Sequence, residues 1–214
     1  MPVELVNQAL CESNDVQEFL TGGDYNISST PEDTINALIN LFSLAMEGGA
    51  FLDRGLEKKE RVEFFDGGCS YVQVACPPFS VSEAGEIENV MVWDGGSTRD
   101  FSDGNRLTIY DDFGVSEKTG TVRMLYAVFG VGSRSVKVQY TGGLVETKKP
   151  KSAPWDLRQA CAMQVANWWQ HRSDLALDSV SVPAGGSLQL SDPSKLLPFV
   201  RQVIHKNRRF RGPW

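Results

Sequence analysis

Two histidines, His171 and His205, and four cysteines, Cys11, Cys69, Cys76 and Cys161, are the residues of this 214-residue chain best suited to nucleophilic or metal chemistry. A Ser–His or Cys–His pair would have to use one of two histidines that stand far apart in sequence. His171 also falls at the end of a helical segment, where a residue able to carry positive charge is favoured for structural reasons. The cysteines show no CxxC, and neither they nor the histidines cluster at the short spacing a zinc site requires. They read as reduced thiols of an intracellular product, with Cys161 on an apolar helix face. Asp111-Asp112, or Asp100 with Asp103, could be paired carboxylates for hydrolysis. Successive strand residues point to opposite faces, however, and Asx turns account for all four. Asp112-Phe113-Gly114 spells the metal-binding tripeptide of kinases without the catalytic loop, glycine-rich loop or strand lysine that give it meaning. Gly130-Val131-Gly132 lies between two strand-like runs and opens no helix, so it reads as a hairpin turn rather than a phosphate loop. Asn26-Ile27-Ser28 is a glycosylation sequon only if the chain is secreted. No catalytic residue, cofactor or metal is expected.

Binding groups are more prominent. The C-terminal HKNRRFRGPW carries Lys206, Arg208, Arg209 and Arg211 with Phe210 and Trp214 interleaved. Such a segment can contact nucleic acid through phosphates and stacking. It can equally dock its aromatics in a partner's groove against an acidic rim. Trp155, Trp168 and Trp169 share one helical segment. They could stack on bases, fill a core, or form a subunit interface, where tryptophan is over-represented among hot spots.

Charge is divided along the chain. Residues 1–107 hold 19 acids against 6 bases, and residues 108–214 hold 8 acids against 15 bases, for a net of −6. A free duplex-DNA binder spreads a basic face over its fold. This division suits a protein whose two ends meet different surfaces, or whose copies stack acidic face to basic face. With 41% hydrophobic and 22% charged residues the composition is that of a globular protein. The longest apolar run, near Leu41–Met46, is too short to span a bilayer, and the first ten residues lack the pattern of a signal peptide.

The elements that must position these groups follow from periodicity. SNDVQEFL has capping residues and apolar residues at helical spacing. Thr30 as N-cap, Pro31 at the first helical position, and Glu32 and Asp33 on the positive end of the dipole open a second helix. Ile35, Leu38, Ile39, Phe42, Ala45 and Met46 carry it toward Arg54, past a loosening at Gly48-Gly49. From Arg61 the period becomes two. RVEFFDGG, SYVQVACPP, ENVMVWDGG, NRLTIYDD, GTVRMLYAVFG and RSVKVQYTGG predict six strands of an antiparallel sandwich or small barrel. WDLRQACAMQVANWWQHR predicts a largely buried helix, SVSVPAGGSLQLSD a loop, and Leu196–Ile204 a last helix that Pro198 kinks or restarts. The fold expected is α+β: a small helical bundle core of about four helices with an inserted antiparallel β-sandwich or barrel-like domain. Its boundaries are 1–60 and 151–205 for the helical core, 61–150 for the β domain and 206–214 for an extended basic and aromatic tail.

Three stretches, in this order, resemble the head–tail connector (adaptor) proteins of long-tailed bacteriophages and prophages. DVQEFL, a loop and TPEDTINALINLFSLAMEGGAFLDRG are similar to that family's short helix, acidic cap and long amphipathic helix. VEFFDGG, VACPPFSVSEA and LTIYDDFGV resemble the inserted β domain of some members. VKVQYTGGL, APWDLRQACAMQVANWWQHR and PSKLLPFVR resemble its closing strand and helices. The Gly48-Gly49 interruption and the 206–214 tail are departures from the pattern.

The resemblance implies a structural virion protein of the neck, made in the host bacterial cytoplasm. Such a protein forms a ring, typically a dodecamer in the virion and in some cases a monomer when free. The ring sits beneath the portal, extends the channel for the genome DNA, which passes without sequence-specific binding, and docks the stopper or tail-completion protein. Lys206, Arg208, Arg209, Phe210, Arg211 and Trp214 would then be portal-docking residues, with Trp155, Trp168 and Trp169 as candidates for the subunit interface. Acids lining the channel would repel phosphates and let DNA slide. The alternative is a small nucleic-acid-binding module using the same tail.

Overall fold

The computed structural model describes residues 3–21, 32–48, 51–81, 87, 89–171, 179–182, 186–189 and 195–208. The architecture is α+β, with four helices and antiparallel-rich sheets among the described residues. These residues fall into two compact units, one reaching Leu52 and resuming at Lys148–Arg208, the other Asp53–Thr147.

The first unit contains α1 (Ser13–Thr21), α2 (Glu32–Glu47), α3 (Trp155–Gln170) and α4 (Pro198–Asn207). Asp15 in the first turn of α1 reaches back to accept the Glu12 backbone N–H at 2.9 Å, satisfying one of the donors a helix start leaves open. The core seam of α2 is Ile35, Ile39, Phe42 and Met46, all buried and at i, i+4, i+7 and i+11. It meets α3, whose Leu157, Ala160, Cys161, Ala162, Val165 and Ala166 are buried. The expected cap of α2 at Thr30 and Pro31 lies outside the described residues.

Three expectations for this unit need correction. First, α2 stops at Glu47, not near Arg54. Gly48 donates to the Ala45 carbonyl at 3.1 Å and Leu52 to the Met46 carbonyl at 3.1 Å, so a turn ends the helix at its first glycine. Second, the 179–192 stretch is not all loop. Ser179–Val182 (β9) and Gly186–Gln189 (β10) pair antiparallel with Gly186 opposite Val182, because a run of turn-forming residues joins two alternating segments. Third, α4 extends to Asn207, so Lys206 is helical and not part of an extended tail. Pro198 does not kink α4 but starts it, the second of the two effects expected of it. It is the first helical residue, with Leu197 as N-cap, where a missing N–H costs nothing.

The second unit holds a five-stranded sheet ordered β4-β3-β7-β1-β8 and a three-stranded sheet ordered β2-β6-β5. The strands are β1 (Glu57–Phe65), β2 (Tyr71–Gln73), β3 (Met91–Asp94), β4 (Arg106–Leu107), β5 (Phe113–Ser116), β6 (Thr121–Met124), β7 (Val136–Gly142) and β8 (Val145–Glu146). All pairings are antiparallel except the short β1–β8 pair. Val136, Val138 and Tyr140 of β7 alternate inward, and share one core with Val72, Val92, Phe113 and Val122 from both sheets.

Here LTIYDD departs from a continuous strand. Tyr110 takes φ of 68°, Thr108 N–H donates to Asp112 Oδ2 at 2.7 Å, and Asp112 N–H donates to the Thr108 carbonyl at 2.9 Å. That tight turn leads into β5, so the Asp-Phe-Gly letters start a strand. Gly130-Val131-Gly132 is not a hairpin turn either, since it lies in the connection between β6 and β7, which belong to different sheets.

Candidate interaction surfaces

The segment 3–11 is laid along α2 by a polar stripe. Asn36 Nδ2 donates to the Val3 carbonyl at 3.0 Å and Asn40 Nδ2 to the Glu4 carbonyl at 2.9 Å. In return Asn40 Oδ1 accepts from Val6 N–H at 2.9 Å, and Ser43 Oγ from Leu10 N–H at 3.1 Å. Residues 36, 40 and 43 share one helix face, so a segment with neither helix nor strand of its own finds donors and acceptors at helical spacing.

A third face of α2 is exposed and apolar. Thr34, Ala37, Leu41 and Leu44 follow a 3-4-3 spacing on the solvent side. Leu41 is 59% exposed and Leu44 50%. Sequence reasoning placed neither on an outer face, because Leu38 and Ala45 blurred the boundary of the core stripe.

Gln164, fully buried on α3, sets the approach to α4. Its Oε1 accepts from Leu197 N–H at 2.9 Å and its Nε2 donates to the Lys195 carbonyl at 3.4 Å. Beyond that clamp, Phe51, Leu196 and Ile204 form an apolar groove rimmed by Arg201, His205 and Arg208. Arg201, Ile204, His205 and Arg208 fall at i, i+3, i+4 and i+7, one stripe of α4 carried to its C-cap. Arg201 Nε donates to the Leu196 carbonyl at 2.9 Å.

The residues expected to bind partners are differently placed. Lys206 Nζ lies 3.0 Å from Asp156 Oδ2, which also accepts from Asn207 Nδ2 at 3.1 Å. Partial burial pushes the Asp156 carboxyl up, but hydrogen bonds from Asn207, Lys206 and Leu157 N–H outweigh it and hold its pKa below the ordinary value. Arg208 caps α4, whereas Arg209, Phe210, Arg211 and Trp214 lie outside the described residues. The three tryptophans separate. Trp155 is 67% exposed at the start of α3, Trp168 meets Phe42 edge-on at 5.9 Å, and Trp169 is half-buried.

In the second unit the strand register sets Phe64, Lys137, Trp93 and Arg106 in one row across β1, β7, β3 and β4. Lys137 Nζ lies 4.1 Å from the Trp93 ring centre, Arg106 lies 6.0 Å from it, and the Arg134 guanidinium is 4.9 Å from that of Phe64. These cations cover the aromatic faces of the sheet. Beside the row, Asp66 is held below its ordinary pKa, chiefly by the Arg134 backbone N–H at 2.7 Å and then by Ser133 Oγ at 3.0 Å. Cross-strand order of this kind depends on register, which the sequence does not display.

Asp100 and Asp112 are each taken up by a local turn. Asp112 closes the turn before β5, and Asp100 Oδ1 accepts from Ser102 N–H at 3.0 Å. Among the described residues no three of His, Cys, Asp and Glu gather where a metal ion could bind. No helix among them is long and apolar enough to cross a membrane.

No protein-family model matches the chain, and no curated protein sequence does. Its fold is that of chains in two solved structures. One is described as the neck of an empty gene transfer agent (GTA) particle computed with C6 symmetry, at TM-score 0.51 and 14% identity over 99% of this chain and 95% of that chain. The other is the neck of a native GTA particle computed with C12 symmetry, at TM-score 0.51 and 15% identity over the same shares.

Proposed function

We propose that this chain is a structural neck protein of a phage-like particle, a head–tail adaptor that forms a ring beneath the portal. The ring extends the DNA channel and offers its far side to the stopper or tail-completion protein. One observation carries this reading: the likeness to neck chains runs over 99% of this chain and 95% of the solved one, so both units are included. Rings of symmetric copies also fit the division of charge along the chain. The role is assembly rather than catalysis, and the place of action is the virion neck.

The C-terminal residues Arg208, Arg209, Phe210, Arg211 and Trp214 form the portal-docking element of this proposal. Because α4 runs to Asn207, the clean truncation removes 209–214 and leaves the Lys206–Asp156 contact in place.

The test is co-sedimentation of the full chain with purified portal rings, imaged by negative stain. An added ring at one end of the portal is the expected result, lost on removal of 209–214. No binding to portal, together with steeply salt-dependent retention of DNA, would replace the adaptor reading with a nucleic-acid module.

A further inference from the structure

Two helices of the first unit, α2 and α4, carry opposite charge. α2 contains Glu32, Asp33 and Glu47 and no basic residue, while α4 and its cap contain Arg201, His205, Lys206 and Arg208 and no acidic one. Each also shows an apolar surface. On α2 it is the exposed Leu41–Leu44 seam, and on α4 it is the groove floored by Phe51, Leu196 and Ile204.

We propose that these are the two halves of one head-to-tail contact between copies of this chain: the Leu41–Leu44 seam of α2 seats in the α4 groove of the next copy. This rests on the ring in the function proposed above and assigns the surfaces that build it.

Three arguments favour a second copy as the occupant. The seam follows the 3-4-3 spacing of a helix that packs along another element, and it sets two large exposed leucines side by side on one face. The rim of the groove carries Arg201 and Arg208, and Glu47 stands one turn beyond Leu44 at the end of the seam-bearing helix, so the two surfaces are complementary in charge as well as in polarity. Finally, the surfaces differ from each other, and a contact between unlike patches leaves a free patch on every added copy. Such heterologous contacts propagate and close into rings, whereas a patch pairing with itself stops at a dimer.

The geometry dictates a mixing experiment on the full-length protein, with mass read by sedimentation velocity at low salt. Leu44→Asp spoils the seam and leaves the groove. Arg201→Glu spoils the groove and leaves the seam. Each alone should associate at least about tenfold more weakly than the wild type. Mixed, they retain one intact contact per pair, because the seam of the Arg201→Glu copy still fits the groove of the Leu44→Asp copy. The mixture should therefore reach twice the monomer mass and go no further. Leu41→Asp and His205→Glu repeat the design if either first variant loses its helical circular dichroism.

Several results would overturn the proposal. One is a wild type that stays monomeric both at the highest attainable concentration and in the presence of purified portal rings. Another is association unchanged by either substitution. A third is loss of association with Leu44→Asp alone, without rescue on mixing, which would mean the seam pairs with itself. Portal docking is read separately through the 209–214 truncation, so either proposal can fail while the other stands.

Discussion

The Tyr140 hydroxyl donates to Glu63 Oε1 at 2.5 Å, joining the centre of β7 to its neighbour β1. The same carboxylate accepts the Ala75 N–H through both oxygens, at 3.0 and 3.1 Å, and the Tyr140 oxygen accepts the Cys76 N–H at 3.1 Å. One phenol and one carboxylate thus hold the segment that leads into the cis Pro77–Pro78 bond. Tyr140→Phe strands both the Cys76 N–H and a lone pair of Glu63. The expected cost is about 1–3 kcal/mol in urea unfolding. Tyr140→Phe and Glu63→Ala should be non-additive by more than about 0.5 kcal/mol, since each removes the other's partner.

The same contact fixes an alkaline limit. Burial raises the Tyr140 pKa, and the hydrogen bond and charge of Glu63 raise it further. The folded phenol therefore binds its proton more tightly than the unfolded one. Its contribution is complete below the unfolded value of about 10 and is lost as pH rises through that value toward the folded one. Stability should decline above about pH 10, and the decline should be shallower in Tyr140→Phe. Equal slopes would show that the phenol is not the titrating group.

How much of this was legible depended on whether an element is local. Ile35, Ile39, Phe42 and Met46 announce α2 because a helix brings residues three and four apart together. Its polar face was hidden, since Asn36, Asn40 and Ser43 have a purpose only once residues 3–11 lie alongside. Strand existence was readable from alternation in Val136–Gly142, but register was not. The row Phe64, Lys137, Trp93 and Arg106 therefore could not be assembled from its letters. The Tyr110-Asp111-Asp112 stretch misled because Tyr and Ile favour strands, and a left-handed residue overrides that preference locally.

Asp156 gives an acid limit. Its folded pKa is depressed, so its contribution is present above the unfolded value of about 3.9 and is lost as pH falls through the folded value. Asp156→Asn should flatten the loss of stability below about pH 4 while costing under about 1 kcal/mol at neutral pH, because Lys206 is largely exposed. An unaltered acid slope would assign that limit to another carboxylate.

Cysteine reactivity should sort by burial. Cys11 and Cys161 are fully buried with their sulfurs 3.2 Å apart, and burial, then the Cys161 hydrogen bond, pushes the Cys11 thiol up. A protonated, covered thiol is a poor nucleophile. Cys76 is also buried, whereas Cys69 is half-buried. Ellman's reagent should therefore titrate Cys69 first in the native protein, and the other three only on unfolding. Rapid reaction of Cys11 or Cys161 would contradict the packing of the helical unit, and rapid reaction of Cys76 that of the β-unit core.

Gly143 should admit no side chain. Its φ of 136° is outside the range of other residues, and a Cβ there would come within 2.6 Å of the Lys58 backbone nitrogen. Gly143→Ala should destabilise the β unit by at least the roughly 1–3 kcal/mol that backbone strain alone imposes. Retained stability would require a shift in the β1–β8 pairing, visible as altered amide protection at Glu57 and Lys58.

The tryptophans give the sharpest contrast between packing and surface. Trp168 stands edge-on to Phe42, a buried residue of α2, so Trp168→Ala removes an aromatic pair and opens space between α2 and α3. A half-buried ring loses less than the 3–5 kcal/mol of a core tryptophan, and about 2 kcal/mol is expected. Trp155 is 67% exposed, and its loss should change stability by no more than about 0.5 kcal/mol. If Trp155→Ala leaves the monomer intact but weakens ring formation or portal binding, the exposed indole belongs to an interface. If it changes neither, its place at the first turn of α3 is incidental to assembly.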